Sequence, residues 1–388
     1  MTALDFNIVY PFVRVRPTTG PARIAAAFAA PEICVVVPTF NERGNIDELV
    51  TRIGAALAGV QWEMIVVDDD SPDGTADHVR ALHRRDPRIR VIRRIGRRGL
   101  SSACLEGMLA SSARLFAVID ADLQHDPALL RDMVETLRTD KVDLVCASRH
   151  VEGGSIGAWS QHRATSSRLA NWAARAVTAV ELSDPMSGYF AVRREVIDRV
   201  APRLSGIGFK ILLDIVLSAG AELRVREIPL SFGFRAHGES KLSPRVIWDY
   251  CMMLADHCTG GRLPLSLLSY GPIAAIALTL HMLCLWLFGD LYGLGLAPAQ
   301  AIAAVGACIM TYCANEMLSY QRRGSWRWYL GLPPFLGSCA LGLAGSVMLA
   351  IWLAQHGAGW FTAGFGGALI GLWWNYGAAD RHGWSSAR

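Results

Sequence analysis

Residues 33–42 read ICVVVPTFNE: five apolar residues, then a proline, a hydroxyl, an aromatic ring, an amide and a carboxylate. A short, continuous apolar run of this kind is a strand buried on both faces, because a half-wet strand would alternate. The pattern repeats down the chain. A helical stretch at 44–58 leads to EMIVV (63–67), another at 73–85 to IRVI (89–92), and another at 99–112 to LFAVI (115–119), with DLVCA (143–147) beyond. Apolar strands alternating with helices specify an α/β domain whose mainly parallel sheet is covered on both sides. Ligands bind such sheets beyond the carboxyl ends of the strands.

Those ends are acidic. The first strand runs into PTFNE (38–42), the second into DDDSPDGT (68–75) and the fourth into DADLQHDP (120–127). There is no GxGxxG after the first strand and no GxxxxGKS, so a dinucleotide oxidoreductase and a P-loop ATPase lack their phosphate cradle. Carboxylates here would repel a bare diphosphate unless a divalent cation joined them. Mg2+ or Mn2+ does so with one or two carboxylates plus substrate oxygens. Asp120 and Asp122, two residues apart, are expected to point to one side, with Gln124 continuing the series.

The composition divides in two. Half of the chain is apolar (52%), yet of 38 basic and 34 acidic residues only five arginines and three acids lie beyond residue 262. A water-soluble domain is therefore followed by a membrane domain, which excludes a wholly soluble enzyme. Nine cysteines occur singly, without a CxxC pair, and read as isolated thiols in a reducing compartment. A net charge of +4 does not argue for nucleic acid, and the arginines at 84–98 lack the interleaved aromatics of a stacking platform. That run reads as a solvated basic face, with attraction to anionic lipid as the lesser reading. Residues 1–31, with four prolines, read as a tail; Arg23 to Pro31 only imitates a signal peptide.

In this order PTFNE, DDDSPDGT, GLSSA (99–103), DADLQHDP, SRHVEGG (148–154), DPMSGYF (184–190) and RAHGESKL (235–242) resemble the polyprenol-phosphate (dolichol-phosphate) mannosyltransferases. These are inverting, Rossmann-like GT-A enzymes of glycosyltransferase family 2. The resemblance runs from about Ile33 to Asp249. It implies donor contacts from Pro38, Thr39, Glu42, Asp69, Asp120 and Lys210, with Asp69 at the base edge and Asp120 facing the donor's ribose or sugar. It implies Asp122 and Gln124 as ligands of Mg2+ or Mn2+, and Arg149, Arg163, Ser167, Arg235 and Lys241 around the acceptor phosphate. Asp120, Asp122, Arg149 and Arg235 would carry catalysis. Turn or helix capping is the plainer reading of Thr39 and Asp69. The implied reaction moves mannose from GDP-mannose to a polyprenyl monophosphate with inversion. Another nucleotide sugar such as UDP-glucose stays open, as does a non-catalytic lipid carrier or flippase. A processive polysaccharide synthase is disfavoured, since Gln321 is followed by RRGSW and not by the QxxRW pattern.

The expected domains are a tail (1–31), the GT-A domain (32–242), an amphipathic helix and linker (243–262), an all-α transmembrane domain (263–379) and a tail (380–388). In the linker, Val246, Ile247, Tyr250, Met253, Leu254 and His257 recur at helical spacing, which suits a core helix or, preferred here beside Trp248, one lying in the membrane interface. Four uncharged stretches, about 263–288, 294–315, 328–354 and 358–379, are each long enough to span. Arg322, Arg323 and Arg327 between the second and third, with Arg381 and Arg388 at the end, put the soluble domain, that loop and the C-terminus on the cytoplasmic side. Two hairpins result, in a cytoplasmic or endoplasmic-reticulum-type membrane. Asn315 and Asn375 recur at equivalent places in them, resembling the GtrA-like four-span modules. Self-association is left open.

Overall fold

The computed structural model describes residues 30–155, 171–206, 208–231, 244–318 and 328–379. Four parallel strands form as the apolar runs require: β1 (Ile33–Thr39), β2 (Trp62–Asp68), β3 (Ile89–Arg93) and β4 (Leu115–Val118). Between them run α1 (Ile46–Ala56), α2 (Thr75–His83) and α3 (Leu100–Leu109). Then come α4 (Leu129–Thr139), β5 (Leu144–Ser148), β6 (Phe190–Arg193), α5 (Arg194–Val200), α6 (Ile211–Ala219) and β7 (Val225–Pro229). The sheet order is β3-β2-β1-β4-β6-β5-β7, with β6 antiparallel to both neighbours. That reversal matters. Val118 pairs with Phe190, so the loop entering β6 arrives at the same edge as the carboxyl ends of the parallel strands.

Both faces of the sheet are buried. Ile33, Val35 and Val37 pack with Ile46, Leu49 and Ile53 of α1 and Met133 and Leu137 of α4, whereas Cys34 and Val36 pack with Cys104 and Met108 of α3 and Ile215 of α6. Each fully buried valine or isoleucine contributes about 1.5–3 kcal/mol. Gly107 draws α3 close, since a Cβ there would lie 2.5 Å from Val36 Cγ1 and 2.9 Å from Val67 Cγ2.

The linker segment forms the helix α7 (Pro244–Thr259). Part of its apolar stripe packs on the catalytic domain: Tyr250, Met253 and Leu254 lie against Leu213 and Leu217 of α6, Ala174 and Met186. His257 Nε2 lies 2.8 Å from buried Asp214 Oδ1, whose carboxylate accepts from Ser205 Oγ (2.8 Å) and Gly206 N–H (3.2 Å). Ile247, a member of the same stripe, is 55% exposed. The packed part of the stripe serves as core, because two apolar helices with matching faces exclude more water together than either does alone.

Four helices follow: α8 (Leu265–Trp286), α9 (Leu296–Leu318), α10 (Leu332–Gln355) and α11 (Trp360–Ala379). Consecutive helices pack together and α11 closes back on α8, giving a four-helix bundle. Three segments among the described residues are long and apolar enough to cross a membrane: Leu267–Leu291, Leu296–Met317 and Tyr329–Gln355. The chain is a membrane protein. All nine cysteines are free, five of them buried.

Candidate active site

The carboxyl ends of β2, β1 and β4 lie side by side, which gathers PTFNE, DDDSPDGT and DADLQHDP at one edge. At each end one non-glycine residue takes a left-handed backbone conformation: Asn41 (φ 63°), Asp70 (φ 57°) and Leu123 (φ 61°). Asparagine and aspartate tolerate this; leucine does so at a cost. Three such turns at three adjacent strand ends re-aim the side chains that leave the sheet.

Thr39 is turned inward, with Oγ1 3.2 Å from Asp68 Oδ1, and its carbonyl accepts the Asp69 N–H at 3.0 Å. Glu42 is half-buried and Oε2 accepts from Asn45 Nδ2 at 2.8 Å. Pro38 lies opposite Val67 in the β1–β2 register. Asp69 accepts from Arg94 Nη1 (2.9 Å) and from the Gly99 N–H (2.8 Å). Burial raises its pKa, against the lowering pull of the Gly99 N–H and Arg94. Arg94 itself is buried, and Arg98 stacks over Phe40 with 4.0 Å between guanidinium carbon and ring centre. The basic run is therefore not simply a solvated face. Arg88, Arg90, Arg93 and Arg97 pair with acids, while Arg84, Arg85, Arg88, Arg93 and Arg97 keep exposed positions.

β4 stops at Val118, so a turn, not strand alternation, orients the DxD pair. Asp120 keeps its side chain 38% exposed, while Asp122 is buried and Oδ1 accepts the Gln124 N–H at 3.2 Å. The backbone of the β6 entry loop presses on Asp120: a Cβ on Gly188 would lie 3.0 Å from Asp120 Oδ2. A side chain at Gly188 would crowd that carboxylate. His125 packs on Tyr189 with ring centres 5.3 Å apart, and Nδ1 lies 3.9 Å from Asp120 Oδ2. Burial pushes its pKa down to about 4, so the ring is neutral at pH 7. Asp122, Arg149, Asp184 and Lys210 all act on that ring electrostatically, which brings three separate motifs and Lys210 into one cluster.

Arg149 follows β5 and makes a two-pronged pair with fully buried Asp184, Nε to Oδ2 at 2.7 Å and Nη2 to Oδ1 at 2.8 Å. Burial alone would raise the Asp184 pKa, but the Arg149 guanidinium holds it below the usual aspartate range. Lys210, expected at the donor, gives its ammonium to the Met186 carbonyl at 3.1 Å. It thereby ties the start of α6 to DPMSGYF. The sequence reading missed Asp184, His125 and Arg94 as site residues, although each lies in or beside a quoted motif. Arg163, Ser167, Arg235 and Lys241 lie outside the described residues, as do the loop and tail arginines used for orientation.

Among the described residues no three His, Cys, Asp or Glu side chains gather as a protein-only metal cage. A magnesium or manganese ion that keeps substrate oxygens in its shell needs one or two carboxylates. Asp122 and Gln124 carry side-chain oxygens, the donor chemistry such an ion takes.

The glycosyl transferase family 2 profile matches residues 34–201, and the GtrA/DPMS transmembrane domain profile matches residues 269–384. A dolichol-phosphate mannosyltransferase of Pyrococcus furiosus is 42% identical over 221 residues, 56% of this chain and 61% of that protein. That of Saccharomyces cerevisiae is 36% identical over 58% of this chain and 86% of its own length. A polyprenol monophosphomannose synthase of Mycolicibacterium smegmatis is 33% identical over 59% and 88%. Among solved structures, glucosyl-3-phosphoglycerate synthase from Mycobacterium tuberculosis, in complex with Mn2+, UDP and glucosyl-3-phosphoglycerate, matches with 22% identity and a TM-score of 0.43. It covers 62% of this chain and 86% of that one.

Proposed function

Because the chain belongs to the dolichol-phosphate mannosyltransferases of glycosyltransferase family 2, we propose that it transfers mannose from GDP-mannose to a polyprenyl monophosphate with inversion at the anomeric carbon. The observation that carries this reading is the closure of DPMSGYF on DADLQ, where Gly188 abuts Asp120 and Asp184 holds Arg149. Nucleotide and acceptor sides thus share one wall.

A phosphate monoester, with a second pKa of ~6, is largely dianionic at pH 7 and needs no general base. Its oxygen attacks the anomeric carbon in line, through an oxocarbenium-like transition state. Asp69 and Thr39 line the nucleotide side, Asp120 faces the donor's ribose or sugar, and Lys210 secures the loop beneath it. Asp122 and Gln124 would hold Mg2+ or Mn2+, which when bound offsets the charge on the departing diphosphate. Arg149 with Arg163, Ser167, Arg235 and Lys241 receives the lipid phosphate, for which forked guanidinium donors are suited. Two membrane hairpins, α11 completing the fourth span, keep the catalytic domain on the cytoplasmic face.

The test is to give purified full-length protein a panel of nucleotide sugars and a short polyprenyl phosphate, with and without manganese. Metal-dependent transfer from GDP-mannose is expected. Transfer from UDP-glucose alone would replace the sugar, and no transfer from any donor would leave a lipid-carrier role in its place.

A further inference from the structure

Each helix of the bundle sends a polar side chain into its interior: His281 from α8, Gln300 from α9, Ser346 from α10 and Asn375 from α11, which are 3, 0, 0 and 4% exposed. Most donors there find a carbonyl. Gln300 Nε2 donates to Ser346 Oγ (3.0 Å) and Gly364 O (3.3 Å), Tyr270 to Leu372 O, Thr311 to Ala307 O, and Asn315 Nδ2 to Thr311 O. The acceptors fare differently. Asn375 Oδ1 has no partner in the protein, and Gln300 Oε1 and His281 Nε2 make no well-formed hydrogen bond, although the Gln300 and His281 side chains act on each other. The reason is general: a helix interior has already committed every N–H to its own ladder but leaves carbonyl lone pairs to share.

Space has been left beside these atoms. His281, Ser346 and Asn375 line one cavity with Ala304, Ala368 and Gly371, and its room for the centre of a water-sized molecule is about 10 Å³. That is close to what one water requires. The two ends converge. α8 and α11 run in opposite directions, since Tyr270 meets Leu372 whereas Leu285 meets Gly364. Helical side chains lean towards their own N-terminus, so His281 and Asn375 lean towards each other. The lining carries no lysine or arginine, which makes it a poor host for the acceptor phosphate.

We propose that this cavity is a binding site for a water molecule that donates a hydrogen bond to Asn375 Oδ1 and pairs with His281 Nε2, joining the first helix of the bundle to the last. The site selects a small, neutral hydrogen-bond donor.

The experiment uses the full-length protein, 15N-labelled at histidine, in lipid bilayers. In water-edited solid-state NMR the His281 ring signal, identified by its loss in His281→Phe, should receive magnetisation from water; a dry ring overturns the proposal. In Asn375→Leu that transfer should fall sharply, and unchanged transfer would place the water elsewhere and refute the bridge. His281→Phe and Asn375→Leu should each lower the unfolding midpoint in detergent, while the double variant falls no further than the worse single one. Additive losses would mean that the two share no partner. Adding inorganic phosphate should leave the His281 shift in place, and a phosphate-dependent shift would overturn the preference for a neutral ligand.

Discussion

In the catalytic domain the buried carboxylate of Asp184 receives two guanidinium donors from Arg149 and a backbone N–H from the same residue; in the bundle the equally buried amide oxygen of Asn375 receives none from the protein. Asp69 and Asp214 repeat the first pattern, each accepting from a side chain and from a backbone N–H at a loop. Gln300 Oε1 comes near the second, with no well-formed hydrogen bond although the His281 side chain acts on that of Gln300. Strand ends and loops leave N–H groups unspent, and the sheet edge collects them. Packed helices have none to lend. An α/β domain can therefore bury anions for chemistry, whereas a helical bundle that buries acceptors must import a donor or bear the cost of about 1–3 kcal/mol for each.

Asp122→Ala tests the first half of that contrast most severely. It should lower turnover by roughly 10²-fold or more, as loss of a group serving developing charge does, while loss of the bond from the Gln124 N–H lowers unfolding stability by only about 0.5–1.5 kcal/mol. Near-normal turnover at saturating manganese would remove the metal assignment. Asp184→Ala comes next and acts on stability: it strands the Arg149 guanidinium in a buried site, at about 3–5 kcal/mol by denaturant unfolding of the catalytic domain. Because the folded Asp184 pKa is lowered, its contribution is present above the unfolded aspartate range and is lost as pH falls through the folded value. Asp184→Asn should flatten that acid limb, and an unchanged limb would show that other carboxylates set it.

Gly367→Val probes the bundle. A Cβ there would fall 2.3 Å from Ser346 O and 2.7 Å from Gln300 Nε2, so overpacking should cost about 1–3 kcal/mol in unfolding of the helices and leave GDP-mannose affinity unchanged. A parallel loss of donor affinity would mean that the two regions are coupled. The smallest effect is expected from a chain ending after Cys258, which retains the packing of α7 on α6 and should still transfer sugar to a short, detergent-soluble acceptor. Folded protein that binds donor without transfer would show that the bundle helps to build the acceptor site.

Much of the catalytic domain was legible from short-range pattern. ICVVV, EMIVV, IRVI and LFAVI became β1 to β4, since a strand buried on both faces has a period that a few residues display. β6 was not foreseen. Its four residues carry no distinguishing period, and its direction depends on which strands flank it. The DxD motif was read correctly as lying at a strand end, but its orientation comes from a turn with Leu123 in a conformation that no propensity assigns to leucine. The α7 stripe shows the same limit: its helical period was plain, yet a period names a face without naming what covers it.

By itself the sequence determined where the chain is buried and where it changes solvent, because apolar period and charge density are local quantities that water and lipid act on residue by residue. It also determined which edge of the sheet carries carboxylates. Only the tertiary structure decided the partners. Arg149 finds Asp184 across 35 residues, Arg94 finds Asp69 across 25, and Gln300 finds Ser346 across 46. Those distances are closed by sheet order, by the reversal of β6 and by helix packing. Pair energies fall off within a few ångströms, so which polar groups end up satisfied is fixed by that closure and not by the residues one at a time.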